Sequence, residues 1–217
     1  MVENTIHIVM AHGAAKATFD RHMPIWESNG FPINVVCPKD DPITSNHPVI
    51  PVGTRQHHGS AAIDRFVKII QIGIDSKYPF ILFDEYDSFC LEIPFTFYTE
   101  KGIHGFDWRD QNPNSGFNGT HFLHPPLFMD TETAAKIVKS SIELKSMGNE
   151  QGFWDRWIGM ICEKGDIPIH STEKIHYTRN TIEPAHMAEL YEAVKHGAKL
   201  FHGVKTKVVH DMITGDK

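Results

Sequence analysis

Phe80, Ile81, Leu82, Phe83, Asp84, Glu85, Tyr86, Asp87, Ser88, Phe89, Cys90, Leu91 places three carboxylates between two apolar stretches. Four apolar residues followed at once by acids predict a buried strand that surfaces at its carboxyl end, where open α/β sheets keep their ligand crevices. In extended backbone, side chains two apart share a face, so Glu85 and Asp87 point the same way. Paired hard oxygen ligands on one face suit Mg²⁺ or Mn²⁺, and such an ion is typically shared with substrate phosphates. The plainer reading is a charged turn, but turns favour Gly, Pro or Asn over bulky aromatics.

Outward from this stretch, strands and helices alternate. Ile6 to Met10 reads as a first strand ending in Ala11, His12 and Gly13, a loop able to bring backbone close to a ligand. Ala14 to Ser28 is helical in composition, with Pro24 as a start or kink and Asn29, Gly30 as its close. Ile33 to Cys37 is a second strand halted by Pro38, and Val49 to Val52 a short third. After a polar loop with Arg55, His57 and His58, Ser60 is expected to cap a helix whose Ile63, Phe66, Val67, Ile70 and Ile74 form one apolar stripe.

Beyond Leu91 the pattern loosens. Gly102 to Gly119 reads as a long loop, and Phe117 to Phe128 has strand character broken by Pro125 and Pro126. Asp130 is expected to cap a helix with Ala134, Ile137, Val138 and Ile142 on one side, closed by Gly148. Gly152 to Cys162 reads as another helix. A final helix starts at Pro184, buries Met187, Leu190, Tyr191 and Val194, and stops at Gly197. The alternation predicts α/β architecture with a mainly parallel sheet.

The 217 residues allow one large α/β domain or at most two small ones, with 41% hydrophobic and 22% charged residues and a formal net charge of −6. Nothing there favours nucleic acid, whose binders carry a basic face. Cys37, Cys90 and Cys162 lie far apart with no CxxC spacing and read as reduced core thiols of a cytoplasmic protein. No apolar run approaches the length that spans a bilayer. The closing Thr214, Gly215, Asp216, Lys217 would suit a domain within a longer multidomain chain.

Four motifs in order resemble a nucleotide-sugar glycosyltransferase of the GT-A fold: the first strand and its loop, the helix bearing Arg65, the Asp84 to Asp87 element in place of the family's DxD, and His202, Gly203, Val204, Lys205. In its small size the chain is similar to a glycosyltransferase domain encoded by a large algal virus that builds capsid-protein glycans. The resemblance implies a single GT-A-like domain over 1–217, its nucleotide-binding part about 1–92 and its acceptor part about 93–217. It also implies a UDP-sugar donor, Mn²⁺ or Mg²⁺, and a glycan or glycoprotein acceptor.

Residue by residue, the resemblance makes Asp87 a metal ligand, Glu85 a direct or water-mediated one and His202 the third; either Asp84 or Glu85 aligns with the motif's first acid. Asp84 is expected to accept from a ribose hydroxyl. Ala11, His12, Gly13, Gly203 and Lys205 would lie along the nucleotide, with Asn118 and Gly119 facing the donor sugar. Arg65 would steady the phosphates or the catalytic carboxylate. Asp155 is the expected catalytic acid, with Trp154 and Trp157 as an aromatic platform; the competing reading puts both tryptophans in the core and Asp155 on the wet side. A zinc hydrolase lacks support, since neither HExxH nor a Cys/His cluster occurs. A nucleotidyltransferase or a sugar-nucleotide-binding module remain the alternatives.

Overall fold

The computed structural model describes residues 4–56, 59–107, 121–146, 154–171, 175–177 and 183–215, with side chains not described at 146 and 175–177. Ten strands fall in them: β1 (Thr5–Met10), β2 (Ile33–Cys37), β3 (Val49–Pro51), β4 (Phe80–Glu85), β5 (Phe89–Cys90), β6 (Ile103–Asp107), β7 (Leu123–Asp130), β8 (Ile169–Ser171), β9 (Ile175–Tyr177) and β10 (Leu200–His202). Seven helices accompany them: α1 (Lys16–Ser28), α2 (Gly59–Asp75), α3 (Thr96–Thr99), α4 (Thr131–Ser146), α5 (Trp154–Lys164), α6 (Pro184–Lys195) and α7 (Lys207–Thr214).

The main sheet has seven strands in the order β3-β2-β1-β4-β7-β6-β8, and a three-stranded sheet runs β5-β10-β9. Strands β3, β2, β1 and β4 are parallel, β7 is antiparallel to both neighbours, and β8 is parallel to β6. The central strands are apolar runs because both faces are covered. On one face Ile6, Ile8, Ile81 and Phe83 meet the stripe of α2 together with α4 and α5; on the other Val9, Val35 and Phe89 meet α1 and α7.

Several expectations give way. The stretch read as a loop from Gly102 opens with the buried strand β6, and 108–120 lies outside the described residues. Strand β7 runs straight through Pro125 and Pro126. Pro125 is not partnered by register to β6, which is irregular between His104 and Phe106, so its missing N–H breaks no pairing there. Helix α2 starts at Gly59, so Ser60 lies within it. Asp130 does cap α4, accepting from the Thr133 amide at 2.9 Å, but Ile142 is 62% exposed, and Tyr191 of α6 is 58% exposed. The helix at Pro184 is not the last: α7 follows, capped by Thr206. Among the described residues no helix is long and apolar enough to cross a membrane.

Candidate active site

The carboxyl ends of β1 and β4 open beside the small sheet, and this juncture gathers most of the expected site. Met10 and Glu85 are register partners at the last position of the two strands. After Glu85 the chain turns, with Ser88 Oγ accepting from the Glu85 amide at 2.9 Å, and re-enters as β5. Helix α1 fastens this segment by three side chains. His22 Nδ1 donates to the Tyr86 carbonyl at 2.9 Å, Trp26 Nε1 to Ser88 at 3.1 Å and Asn29 Nδ2 to Cys90 at 3.1 Å. Donors one helical turn apart meet every second carbonyl of an extended chain because a turn rises about 5.4 Å and two strand residues about 6.6 Å.

Glu85, Asp87 and His202 each bring a ligand atom within 4.8 Å of the others. His202 ends β10, and the Val204 amide donates to the Asp87 carbonyl at 2.8 Å, which clamps the closing segment onto the acidic one. Gly203 joins them at φ 82°, a left-handed conformation that favours glycine. Burial holds the His202 imidazole down to about 3, and its ring bonds the Pro125 carbonyl, so it is neutral with a lone pair on its other nitrogen. Burial likewise pushes Glu85 well above the carboxylate range, with the charges of Asp87 and Asp155 adding to it and Arg65 and Lys205 opposing. Asp87 is raised by burial and drawn back by Lys205, whose Nζ lies 3.4 Å from its Oδ2.

This donor set fits a divalent cation. Asp87 Oδ1 is buried with no hydrogen-bond partner among the described residues. Three carboxylates, Glu85, Asp87 and Asp155, face two cationic groups, Arg65 and Lys205. Two carboxylates and a neutral imidazole match Mn²⁺ or Mg²⁺ with open positions left for phosphate oxygens.

Asp84 is placed differently from the expectation. It is fully buried on the opposite face, accepting from His7 Nε2 at 2.8 Å and Ser88 Oγ at 2.7 Å. With both oxygens committed inside the core it offers nothing to a ribose, and Glu85 is the acid that faces the crevice.

No protein-family model and no curated protein sequence matches the chain. Among solved structures it is similar to an apo structure of the WbbM bifunctional glycosyltransferase, with TM-score 0.60 and 11% identity, over 97% of this chain and 49% of that one. The fold is GT-A-like. The chain thus spans about half the length of that structure.

In this GT-A-like frame Arg65 is 4% exposed and donates to the Thr54 carbonyl; burial lowers it from the usual guanidinium range, with Glu85 and Asp40 opposing. It is therefore no solvated helix charge. Asp155, on α5, is also inside: burial raises it to about 7, and its Oδ2 lies 3.7 Å from His124 Nδ1. The two tryptophans are core, Trp154 stacked on Phe66 at 5.2 Å and Trp157 1% exposed, so neither forms a sugar platform. The helix thus splits between the two readings, core aromatics with a buried acid. Gly159 makes this possible, since a Cβ there would sit 2.1 Å from the His121 carbonyl oxygen.

The first loop is tied down chiefly by Asp41, which sequence reasoning passed over. Ala11 donates to the Val36 carbonyl at 3.0 Å and Gly13 to the Asp41 carbonyl at 3.1 Å. His12 Nδ1 lies 3.4 Å from Asp41 Oδ2, which also pairs with Arg55 at 2.8 Å. The His12 ring stands edge-on to Tyr86 at 4.9 Å. His124 also lies here: its ring is 4.8 Å from that of His202, and burial and His202 hold it neutral. Asp107 accepts from His121 Nδ1 at 2.5 Å beside them. No spacing in the sequence singles out these histidines among fifteen. Asn118 and Gly119 lie outside the described residues.

Proposed function

We propose that the protein is a metal-dependent glycosyltransferase that moves a sugar from a UDP-sugar to a glycan or glycoprotein acceptor. One observation carries the reading: Glu85 at the end of β4, Asp87 in the turn after it and His202 of the small sheet converge within 4.8 Å at the mouth of a GT-A-like sheet, with Lys205 on Asp87. Glu85, Asp87 and His202 would hold Mn²⁺ or Mg²⁺, which when bound supplies Lewis-acid stabilisation of the leaving diphosphate. Lys205, its side chain 41% exposed, would turn its ammonium from Asp87 toward phosphate oxygens. Arg65 keeps a second positive charge beneath Glu85. Asp155, with its proton held to about pH 7, suits a group that gives or takes a proton on the sugar side.

Ala11, His12 and Gly13, braced by Asp41, would line the nucleotide, with Gly203 letting backbone approach the phosphates. The same reading places Asn118 and Gly119 by the donor sugar. A cytoplasmic setting fits three free, buried cysteines. A capsid-glycoprotein acceptor, as for the algal-virus domain, rests on small size alone.

Calorimetry of UDP with and without Mn²⁺, on the wild type and Asp87→Asn, tests the proposal. UDP binding that needs Mn²⁺ and vanishes in Asp87→Asn is expected, with UDP-sugar hydrolysis or transfer lost in parallel. Binding indifferent to the metal or the substitution would overturn it. Binding without any turnover would return the chain to a sugar-nucleotide-binding module.

A further inference from the structure

Well separated in sequence from the crevice ligands, Glu100, His104 and His170 also bring one ligand atom each within 4.8 Å of one another. Glu100 is the C-cap of α3, His104 belongs to β6 and His170 to β8. The two strands pair in parallel with His104 opposite His170, so the rings leave one face of the sheet side by side. They lie face to face with centroids 4.5 Å apart.

The hydrogen bonds around these rings set their tautomers. His104 Nε2 donates to the Glu100 carbonyl at 2.9 Å, and His170 Nε2 to the Lys101 carbonyl at 2.8 Å. A carbonyl only accepts, so in each neutral ring the proton sits on Nε2 and the lone pair on Nδ1. Metal-bound histidines are typically held this way, with the other N–H on a carbonyl or carboxylate. His170 Nδ1 faces the Glu100 carboxylate at 3.6 Å. Next after the Lys101 carbonyl, Gly102 passes the His170 ring so closely that a Cβ would lie 3.0 Å from its Nε2.

We propose that Glu100, His104 and His170 form a second metal site, one that takes a divalent transition ion of the Zn²⁺ class and fastens edge strand β8 to β6. Two imidazoles and one carboxylate favour a borderline ion, whereas the two carboxylates and single imidazole of the crevice favour harder Mn²⁺ or Mg²⁺. Zn–N bonds of about 2.0–2.1 Å hold tetrahedral ligand atoms about 3.3 Å apart, so a set within 4.8 Å closes by at most about 1.5 Å on binding. The parts free to move are the His170 and Glu100 side chains, 32% and 51% exposed, while His104 at 2% exposure is the fixed post. Three protein ligands leave a fourth position for water on the exposed side. Strand β8 has three residues, so a short ladder gains a cross-link that its hydrogen bonds do not supply.

The test titrates metal-free full chain with Zn²⁺ in an Asp87→Asn background, which removes competition from the crevice without bearing on the second site. One Zn²⁺ equivalent and a Zn²⁺-dependent rise in Tm are expected. In Asp87→Asn combined with His170→Ala, or with Glu100→Gln, Zn²⁺ affinity is expected to fall at least a hundredfold and the Tm rise to disappear. These substitutions touch partly exposed side chains, so the fold is expected to hold, and His170→Ala alone is expected to keep Mn²⁺-dependent UDP binding. No Zn²⁺ binding at micromolar concentration, or equal binding after His170→Ala, would overturn the site.

Discussion

His22 donates from Nδ1 to the Tyr86 carbonyl at 2.9 Å, and so holds from α1 the backbone between Glu85 and Asp87. The ring is fully buried, and burial holds it neutral, down to about 3. His22→Ala leaves that carbonyl without its donor and should cost about 1–3 kcal/mol of stability. It should also weaken Mn²⁺-dependent UDP binding about tenfold, about 1.4 kcal/mol. His22→Gln, which keeps an N–H donor, should recover part of both. Denaturation beside calorimetry separates the roles: full UDP affinity in a destabilised His22→Ala would leave His22 as packing only.

Lys205→Ala should weaken UDP more than uridine, because its ammonium is expected to act on the diphosphate and at rest lies 3.4 Å from Asp87. A five- to fiftyfold loss for UDP, about 1–2 kcal/mol, with little change for uridine is the expected result. Equal losses would move Lys205 away from the phosphates.

Asp155→Asn should separate chemistry from binding and carry a pH signature. Folded Asp155 keeps its proton to about pH 7, against 3.8 for an ordinary aspartate, because it is buried. Between those values the folded state binds more protons than the unfolded one, so this group's contribution to stability is full below about 3.8 and lost as pH rises through about 7. In metal-free protein Asp155→Asn should therefore gain stability over wild type at pH 8, on the order of 1–4 kcal/mol, and nothing at pH 4. Turnover should fall about a hundredfold while UDP affinity stays within about threefold. Urea midpoints at the two pH values, with rates beside them, check both halves.

Gly159→Ala should destabilise the chain by about 1–3 kcal/mol or more, since its Cβ would meet backbone at 2.1 Å and no side chain can give way. Asp155 lies one turn earlier on the same helix face, so activity should fall as α5 is pushed off the His121 segment. A wild-type denaturation midpoint would show that this contact relaxes freely.

The acidic strand end and the stripe of α2 were legible because each writes its chemistry into neighbouring residues, whereas the closing His202 to Lys205 segment was marked out by the glycosyltransferase resemblance. Other features were settled by partners distant in sequence. Strands β5 and β10, of two and three residues, have no periodicity to read and exist because they pair with each other and with β9. Asp84 reads as a ligand beside Glu85, and only the placement of His7 and Ser88 on its own face makes it a core carboxylate. Ile142 and Tyr191 are apolar in composition yet exposed, since a helix stripe inferred from a few residues does not fix its edge. Trp154 and Asp155 are adjacent, and the reading either turned both toward the sugar or set the tryptophan in the core and the acid in water, whereas burial takes both inward.

The Val204 to Asp87 hydrogen bond also sets an order of events during synthesis. Asp87 emerges from the ribosome well before Val204, and the first four strands of the main sheet with their helices precede β10 in the chain. An incomplete chain can fold that portion while its acidic turn still lacks His202 and the backbone clamp. The proposed cation site is therefore expected to arise late, when β10 docks, so nascent protein would bind neither the proposed metal nor the proposed donor until its closing segment is in place.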